Sequence, residues 1–335
     1  MARILVTDAE GLVGKYVVSE LVSKRCAQDT TATLPGLAGM IIRAGYHSKE
    51  ALEAAIASNT HPEIVEPVMV DWKDETTFLD ALRDVRSLFL LTPFTSAKLS
   101  QCRTWIDAAA KAKAVTHEAE NKLHVVYAGV HCDDRDEADR VPHETWHLQA
   151  EKAISEATHV FASSTFLRIN FDGYNGTLRP GEIAYFLPAD KKYGWIARED
   201  IAAVAAVSLL EPSKHAGRTY PLATEKLSLV DMADIARDMC CFDVRARRLS
   251  SDEFARMALS PLANPDGDPG YVDYIKSVAQ MFQGLEKGQY PSHTEVFPEV
   301  IREVCGREPI SFRAWLTRSP FRAKLESSWV KNNPI

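Results

Sequence analysis

The chain has no CxxC pair, no block of lysines and arginines, and no apolar run long enough to cross a bilayer. Each absence removes a class of function. Its six cysteines, Cys26, Cys102, Cys132, Cys240, Cys241 and Cys305, are scattered. The adjacent pair Cys240-Cys241 points in different directions and lacks a second pair, so no metal site is expected. A net charge of −7 with no concentrated positive face argues against nucleic acid as a partner, because phosphate binding needs clustered cations. Met1 leads into a strand without a leader segment, so the thiols are expected to be reduced and the protein soluble and cytoplasmic. A hydrophobic small molecule is the expected partner, on a monomer or homodimer with no membrane attachment.

What is present is an ordinary globular balance, 46% hydrophobic and 25% charged. At 335 residues the chain exceeds what one core usually fills. A larger nucleotide-binding domain over residues 1–170 is expected, then a smaller lobe over 171–335 with segments returning to the first.

Short apolar runs at 4–7, 40–44, 67–71, 87–92 and 123–128 alternate with helical spacing at 13–23, 48–57, 76–82, 96–114 and 144–156, and 164–168 reads as a further strand. Such alternation predicts an α/β fold, a Rossmann-like doubly wound parallel sheet whose strands are near-continuously apolar because both faces are covered. Residues 29–39 and 264–270 read as loops. Residues 171–195 are rich in Gly, Pro and aromatics and suit a lobe over a ligand. Helices follow at 200–210 and 228–239, with a short strand at 219–222. Tyr271, Tyr274, Met281 and Phe282 lie at helical spacing and read as packing.

The turn Thr7-Asp8-Ala9-Glu10-Gly11-Leu12-Val13-Gly14 stands between the first strand and the first helix, where a dinucleotide fold holds its pyrophosphate. Gly11 would let the backbone approach the phosphates and Gly14 would let the helix pack on the sheet, while the helix's first N–H groups face the anion. Asp8 replaces the first glycine and brings a negative charge to that place. An ordinary strand-to-helix turn is the alternative.

No acidic residue follows the second strand to bind ribose hydroxyls. Arg43 and then His47-Ser48-Lys49 stand there, a basic and hydroxyl-bearing group suited to the 2′-phosphate of NADP(H). A solvated helix start is the competing reading.

These residues bring a family into view. With Ile42-Arg43-Ala44, Val70-Asp71, Leu90-Leu91-Thr92-Pro93, the helix from His147 to Glu151-Lys152, Leu167-Arg168, Arg198-Glu199-Asp200-Ile201-Ala202 and Ser311-Phe312-Arg313-Ala314-Trp315, the chain resembles the NmrA-like group of atypical short-chain dehydrogenases. Its later half is similar to fungal reductases of ergot-type alkaloid pathways, at Ser250-Ser251-Asp252-Glu253-Phe254-Ala255 and Val304-Cys305-Gly306-Arg307-Glu308-Pro309. The resemblance implies a nicotinamide near Thr92-Pro93-Phe94, Ala128-Gly129-Val130 and Lys152. Asp71 and Trp72, at the end of the third strand, join the expected coenzyme set. Members divide between hydride-transferring enzymes and regulators that bind NADP(H) without turnover.

Short-chain dehydrogenases place Tyr-x-x-x-Lys on one helix face so that the ammonium lowers the phenol's pKa. Here Leu148 stands four residues before Lys152, so only the lysine remains, as a ribose ligand or a solvated side chain. Reduction of an iminium tolerates that loss, since the substrate already carries the positive charge. Candidate proton carriers are Tyr127, His131, Asp133, His143 and His147, each also readable as structural. Phe94, Phe171, Tyr174 and Trp195, with Tyr185, Phe186 and Tyr193, would form a binding wall or the lobe's own core. The first functional expectation is therefore an NADPH-dependent oxidoreductase reducing an imine or related group on a hydrophobic polycyclic substrate. The others are a cyclase performing a ring closure such as a Diels–Alder reaction, and a non-catalytic NADP(H)-sensing regulator.

Overall fold

The computed structural model describes residues 3–28, 39–116, 122–132, 136, 139–172, 174–240, 243–260 and 267–318. Asp133, Cys241, most of the 29–39 loop and residues 261–266 therefore lie outside the described residues.

The first half alternates as its hydrophobic pattern demands: β1 (Arg3–Val6), α1 (Gly14–Gln28), β2 (Ile41–Tyr46), α2 (Lys49–Ser58), β3 (Val65–Met69), α3 (Thr76–Ala81), β4 (Val85–Leu90), α4 (Lys98–Thr116), β5 (Leu123–Val130), α5 (Pro142–Glu156) and β6 (Phe161–Ile169). The second half adds α6 (Tyr174–Thr177), β7 (Leu178–Arg179), β8 (Glu182–Tyr185), β9 (Tyr193–Trp195), α7 (Arg198–Leu210), α8 (Pro212–His215), β10 (Thr219–Leu222), β11 (Glu225–Leu227), α9 (Leu229–Cys240), β12 (Arg245–Arg248), α10 (Ser251–Ala258), α11 (Pro269–Glu286), a 3₁₀ turn at Pro291–Thr294, α12 (Pro298–Cys305) and α13 (Phe312–Leu316). Among the described residues no helix is long and apolar enough to cross a membrane.

Seven strands form one parallel sheet in the order β10-β6-β5-β4-β1-β2-β3. The chain runs outward from β1 through β2 and β3, then returns to β4 on β1's other side. The order therefore reverses between β1 and β4, and beyond the strands' carboxyl ends at such a reversal open α/β sheets bind their ligands. Within each strand successive side chains serve opposite layers. Ile4, Val6, Phe89 and Val126 pack with Val13 of the turn before α1, Val17 of α1 and Ile201 of α7. Leu5, Leu88, Leu90, Val125 and Tyr127 pack with Phe78, Trp105 and Ile154 of α3, α4 and α5. Helix α7 is buried along Asp200–Leu209, and its run of alanines lets it lie close on the sheet.

Residues 171–195, read as irregular, contain three short strands. They belong to a three-stranded sheet β12-β8-β7 and a pair β11-β9 around a separate aromatic core of Phe171, Tyr174, Trp195, Phe312 and Trp315. Strand β10 and helix α7 return from this half of the sequence to the large sheet.

Candidate functional site

The candidate site begins where β1 ends. Thr7 is buried, and its hydroxyl donates to the Leu91 carbonyl at 3.0 Å while accepting from Leu91 N at 3.0 Å, tying β1 to the end of β4. Beyond it the chain turns tightly, with Gly11 N donating to Asp8 O at 3.1 Å and Ala9 N to Gly45 O at 2.9 Å. A Cβ on Gly14 would fall 1.7 Å from the Asp8 carbonyl oxygen, so this glycine lets α1 start directly against the turn. A Cβ on Gly11 would fall 1.8 Å from the Asp8 carboxylate, which folds over Gly11. The turn thus has the shape and the close backbone approach that a diphosphate requires, with one carboxylate resting inside it. Leu12 is exposed, whereas Ala9 and Val13 are buried beneath the turn.

The cations expected to hold a 2′-phosphate are not gathered together. Arg43 is buried in β2; its Nη1 donates to the carbonyls of Asp80, Ala81 and Arg83 at 2.9, 3.1 and 2.7 Å, and its Nε to Glu66 at 3.0 Å. It closes the end of α3 and does not face the phosphate turn, which corrects its assignment as a coenzyme ligand. His47 is turned to Asp8, with Nε2 at 3.0 Å from Oδ1. Ser48 caps α2 by accepting from Ala51 N at 3.1 Å. Lys49 is 79% exposed and lies 3.7 Å from Glu53, leaving it the cluster's solvent-facing charge. Asp71 steadies its own turn, its N–H donating to Thr77 and its carboxylate accepting from Lys73 N. The Trp72 indole packs between His47, Phe78 and Trp105.

At the carboxyl ends of β4 and β5 lies a buried polar cluster. Lys98, in the first turn of α4, is fully buried and donates to Thr92 O at 2.8 Å and Thr92 Oγ1 at 2.9 Å. Its ammonium faces the rings of Phe94 at 5.1 Å and Tyr274 at 5.8 Å. Burial drives its pKa down to about 7, against the pull of Cys102 and Asp8. Burial pushes the Tyr127 phenol well above its ordinary range and His147 well below. These two meet at 2.9 Å through Oη and Nδ1, and His147 Nε2 reaches Tyr274 Oη at 3.4 Å. His143 Nδ1 is 2.8 Å from Ser277 Oγ and is held down to about 4 by burial and then by Lys98. Gly129 makes room for this arrangement, since a Cβ there would lie 3.2 Å from Glu151 Oε1 and 3.3 Å from the Tyr127 ring. Ala128 faces the opposite layer, and Val130 is half-buried at the strand's end.

Lys152 takes no part. Its side chain is 76% exposed on the outer face of α5 and pairs with Glu156 at 3.9 Å, which overturns the expected ribose contact. The buried stripe of α5 is His143, Glu144, His147, Ala150, Glu151 and Ile154. The lysine in the strand-end cluster is Lys98, which sequence reasoning missed because nothing local separates it from the surface lysines. Tyr274 does more than the packing its helical spacing predicts, since its hydroxyl joins the cluster from α11.

Phe94 sits at the rim, 47% exposed and tilted against Tyr274 at 5.3 Å. The other expected wall residues are packed into the lobe's core. Phe171, Tyr174 and Trp195 are core, with Tyr174 Oη donating to Glu225 and Trp195 Nε1 to the Leu227 carbonyl, both at 3.0 Å. Tyr185, Phe186 and Tyr193 pack with that same core. A separate open cleft of about 840 Å³ lies beyond β5 and β6, lined by His131, Cys132, Arg168, Tyr290, Ser292 and Glu295. His131 is buried there, stands edge-on to His293 at 5.3 Å, and is held down to about 4 by burial and then by Arg168.

A parallel sheet with its reversal at β1/β4, a tight glycine turn into α1 and polar groups at the strand ends define a Rossmann-like dinucleotide-fold protein. The model described as the NmrA-like family matches residues 1–300, and the chain belongs to that family. Among curated proteins, none is similar enough in sequence to match it. Among solved structures it is similar to the NADPH-dependent quinone oxidoreductase of Escherichia coli, at 21% identity and TM-score 0.63 over 95% of this chain and 98% of that one. It is similar also to the triphenylmethane reductase of Citrobacter sp. complexed with NADP(H), at 16% identity and TM-score 0.66 over 97% and 100%. The negative transcriptional regulator NmrA in complex with NADP gives 16% and 0.64 over 97% of each chain. At these identities the likeness is one of fold.

Proposed function

We propose that this protein is an NADP(H)-dependent reductase of a hydrophobic small molecule, with an imine or iminium carbon as the hydride acceptor. The observation carrying this reading is the buried cluster of Thr92, Lys98, Tyr127, His147 and Tyr274 at the strand ends beside the sheet's reversal. Polar groups with strongly displaced pKa values are costly to bury and concentrate where chemistry is done.

Bound nicotinamide coenzyme would supply the hydride. The amides of the Gly11–Gly14 turn and the start of α1 would hold its diphosphate, and exposed Lys49 is the cation best able to reach a 2′-phosphate. Phe94 offers the apolar rim. Tyr127 Oη, His147 and Tyr274 form a path along which a proton can be held or moved without the Tyr-x-x-x-Lys pair. An iminium acceptor demands no stronger acid.

A second reading has its own support. Because Phe171, Tyr174 and Trp195 are used as core, the wall expected for a large flat substrate is missing from those positions, which favours a coenzyme-binding regulator. Calorimetric titration with NADP⁺, NADPH, NAD⁺ and NADH, followed by absorbance of the reduced nicotinamide with cyclic imines, separates the readings. Substrate-dependent NADPH oxidation supports the reductase. Tight binding of both redox forms with no turnover supports the regulator, and ring-closed product without coenzyme consumption supports a cyclase.

A further inference from the structure

The turn that would hold a diphosphate carries two carboxylates, and one residue answers both. His47 N donates to Glu10 Oε1 at 2.9 Å, and His47 Nε2 lies 3.0 Å from Asp8 Oδ1. The other ring nitrogen, Nδ1, lies 3.0 Å from the Val70 carbonyl oxygen. A carbonyl can only accept, and an ionised carboxylate can only accept, so both contacts are hydrogen bonds at once only when both ring nitrogens carry protons, as in the imidazolium. The ring lies against Trp72, with centroids 6.1 Å apart. Burial opposes the charge, but the Asp8 and Val70 hydrogen bonds, with Asp8 and Glu10 nearby, raise the pKa above 6.5. Asp8 also acts on Lys98 of α4, whose charge it favours.

We propose that Asp8 and His47 act as one unit, a carboxylate–imidazolium pair folded over Gly11, that sets the strength and the pH dependence of dinucleotide binding. The inference rests on the reading of this turn as the coenzyme site. With His47 protonated the pair is neutral toward a diphosphate. Once His47 loses its proton, the Asp8 carboxylate stands uncompensated against the phosphates, and the contact to Val70 loses its donor if the remaining proton stays on Nε2. Coenzyme therefore favours the protonated pair. Affinity is full below the pKa of His47 in the free protein and declines as pH rises through it, in a window that opens above 6.5.

The test combines a coenzyme-free readout with binding. In the free protein, ¹⁵N-edited imidazole spectra should show His47 protonated on both nitrogens near neutrality. NADP⁺ and NAD⁺ affinities, followed by calorimetry from neutrality to about pH 9, should weaken in parallel by about tenfold, the effect of one unit charge at a partly solvated site. NAD⁺ serves as the control lacking a titrating 2′-phosphate. Asp8→Asn, which keeps the shape, and Asp8→Gly, which restores a plain glycine turn, should each bind about tenfold tighter than the wild type at about pH 9, where its Asp8 is uncompensated, with a smaller difference near neutrality and so a flattened pH profile. A neutral His47 in the free protein overturns the proposal. Binding indifferent to pH and to both substitutions overturns it while leaving the coenzyme reading intact. No binding by the wild type or either variant overturns both.

Discussion

Tyr127 Oη stands 2.9 Å from His147 Nδ1, and this single contact determines the proton positions of three residues. With burial holding the phenol protonated and the imidazole neutral, Tyr127 donates and Nδ1 accepts. The imidazole proton then lies on Nε2, directed at Tyr274 Oη. Tyr127→Phe leaves a buried Nδ1 without its donor, which costs about 1–3 kcal/mol, and removes the first link of the relay. The expected result is a melting temperature lower by several degrees, with reductase turnover down by about a hundredfold. Unchanged turnover in a folded Tyr127→Phe variant would remove this phenol from the mechanism.

Lys152→Ala is the contrasting variant. An exposed i,i+4 pair contributes little, so stability should shift by less than about 0.5 kcal/mol and coenzyme affinity should stay as it was. A large loss of NADP⁺ affinity in calorimetry would restore the ribose role that the geometry denies.

Lys98 makes stability depend on pH. Its folded pKa, about 7, lies below the ordinary 10.5, so between these values the unfolded chain binds the extra proton. Its destabilising contribution is full below about pH 7 and is relieved as pH rises toward 10.5. The wild type should gain on the order of a few kcal/mol relative to Lys98→Met over that window. Denaturant melts of both proteins at neutral and alkaline pH give the difference, and a pH-independent gap contradicts the assignment.

The two glycines of the phosphate turn should respond differently to Asp8. Gly11→Ala drives a Cβ into the Asp8 side chain and should be rescued by Asp8→Gly. Gly14→Ala drives it into the Asp8 main-chain oxygen, so the same second substitution should not help. Soluble yield and thermal melts of the singles and doubles read the cycle; equal rescue at both positions would contradict this turn geometry.

Arg43→Leu leaves the carbonyls of Asp80, Ala81 and Arg83 without their shared donor in a half-buried place. A loss of about 2–4 kcal/mol in chemical denaturation is expected, with the ratio of NADP⁺ to NAD⁺ affinity unchanged. A selective loss of NADP⁺ binding would return Arg43 to the coenzyme site.

The large sheet was readable because β1, β4 and β5 are largely buried and so appear as near-continuous apolar runs. Strands β7, β9 and β12 were not, being two to four residues long and stabilised by the aromatic core that gathers around them. The error at Lys152 was within reach of the sequence. It lies five residues after His147, about 140° around the helix, so the two cannot share a face. Nothing comparable pointed to Lys98, whose burial comes from Phe94, Thr92 and Tyr274 closing over it.

By itself the sequence determined the alternation of strands and helices and the place of the glycine turn, because these follow from local hydrophobic period and from backbone space at two positions, while the family resemblance rests on the order of its motifs along the chain. The tertiary structure decided which polar groups meet: Asp8 with His47, Thr92 with Lys98, and Tyr127 with His147 and Tyr274. Most of these partners come from separate elements, and even Thr92 and Lys98 meet only as β4 gives way to α4. Strand order and helix rotation set their distances, and burial then makes each hydrogen bond costly to leave unmade.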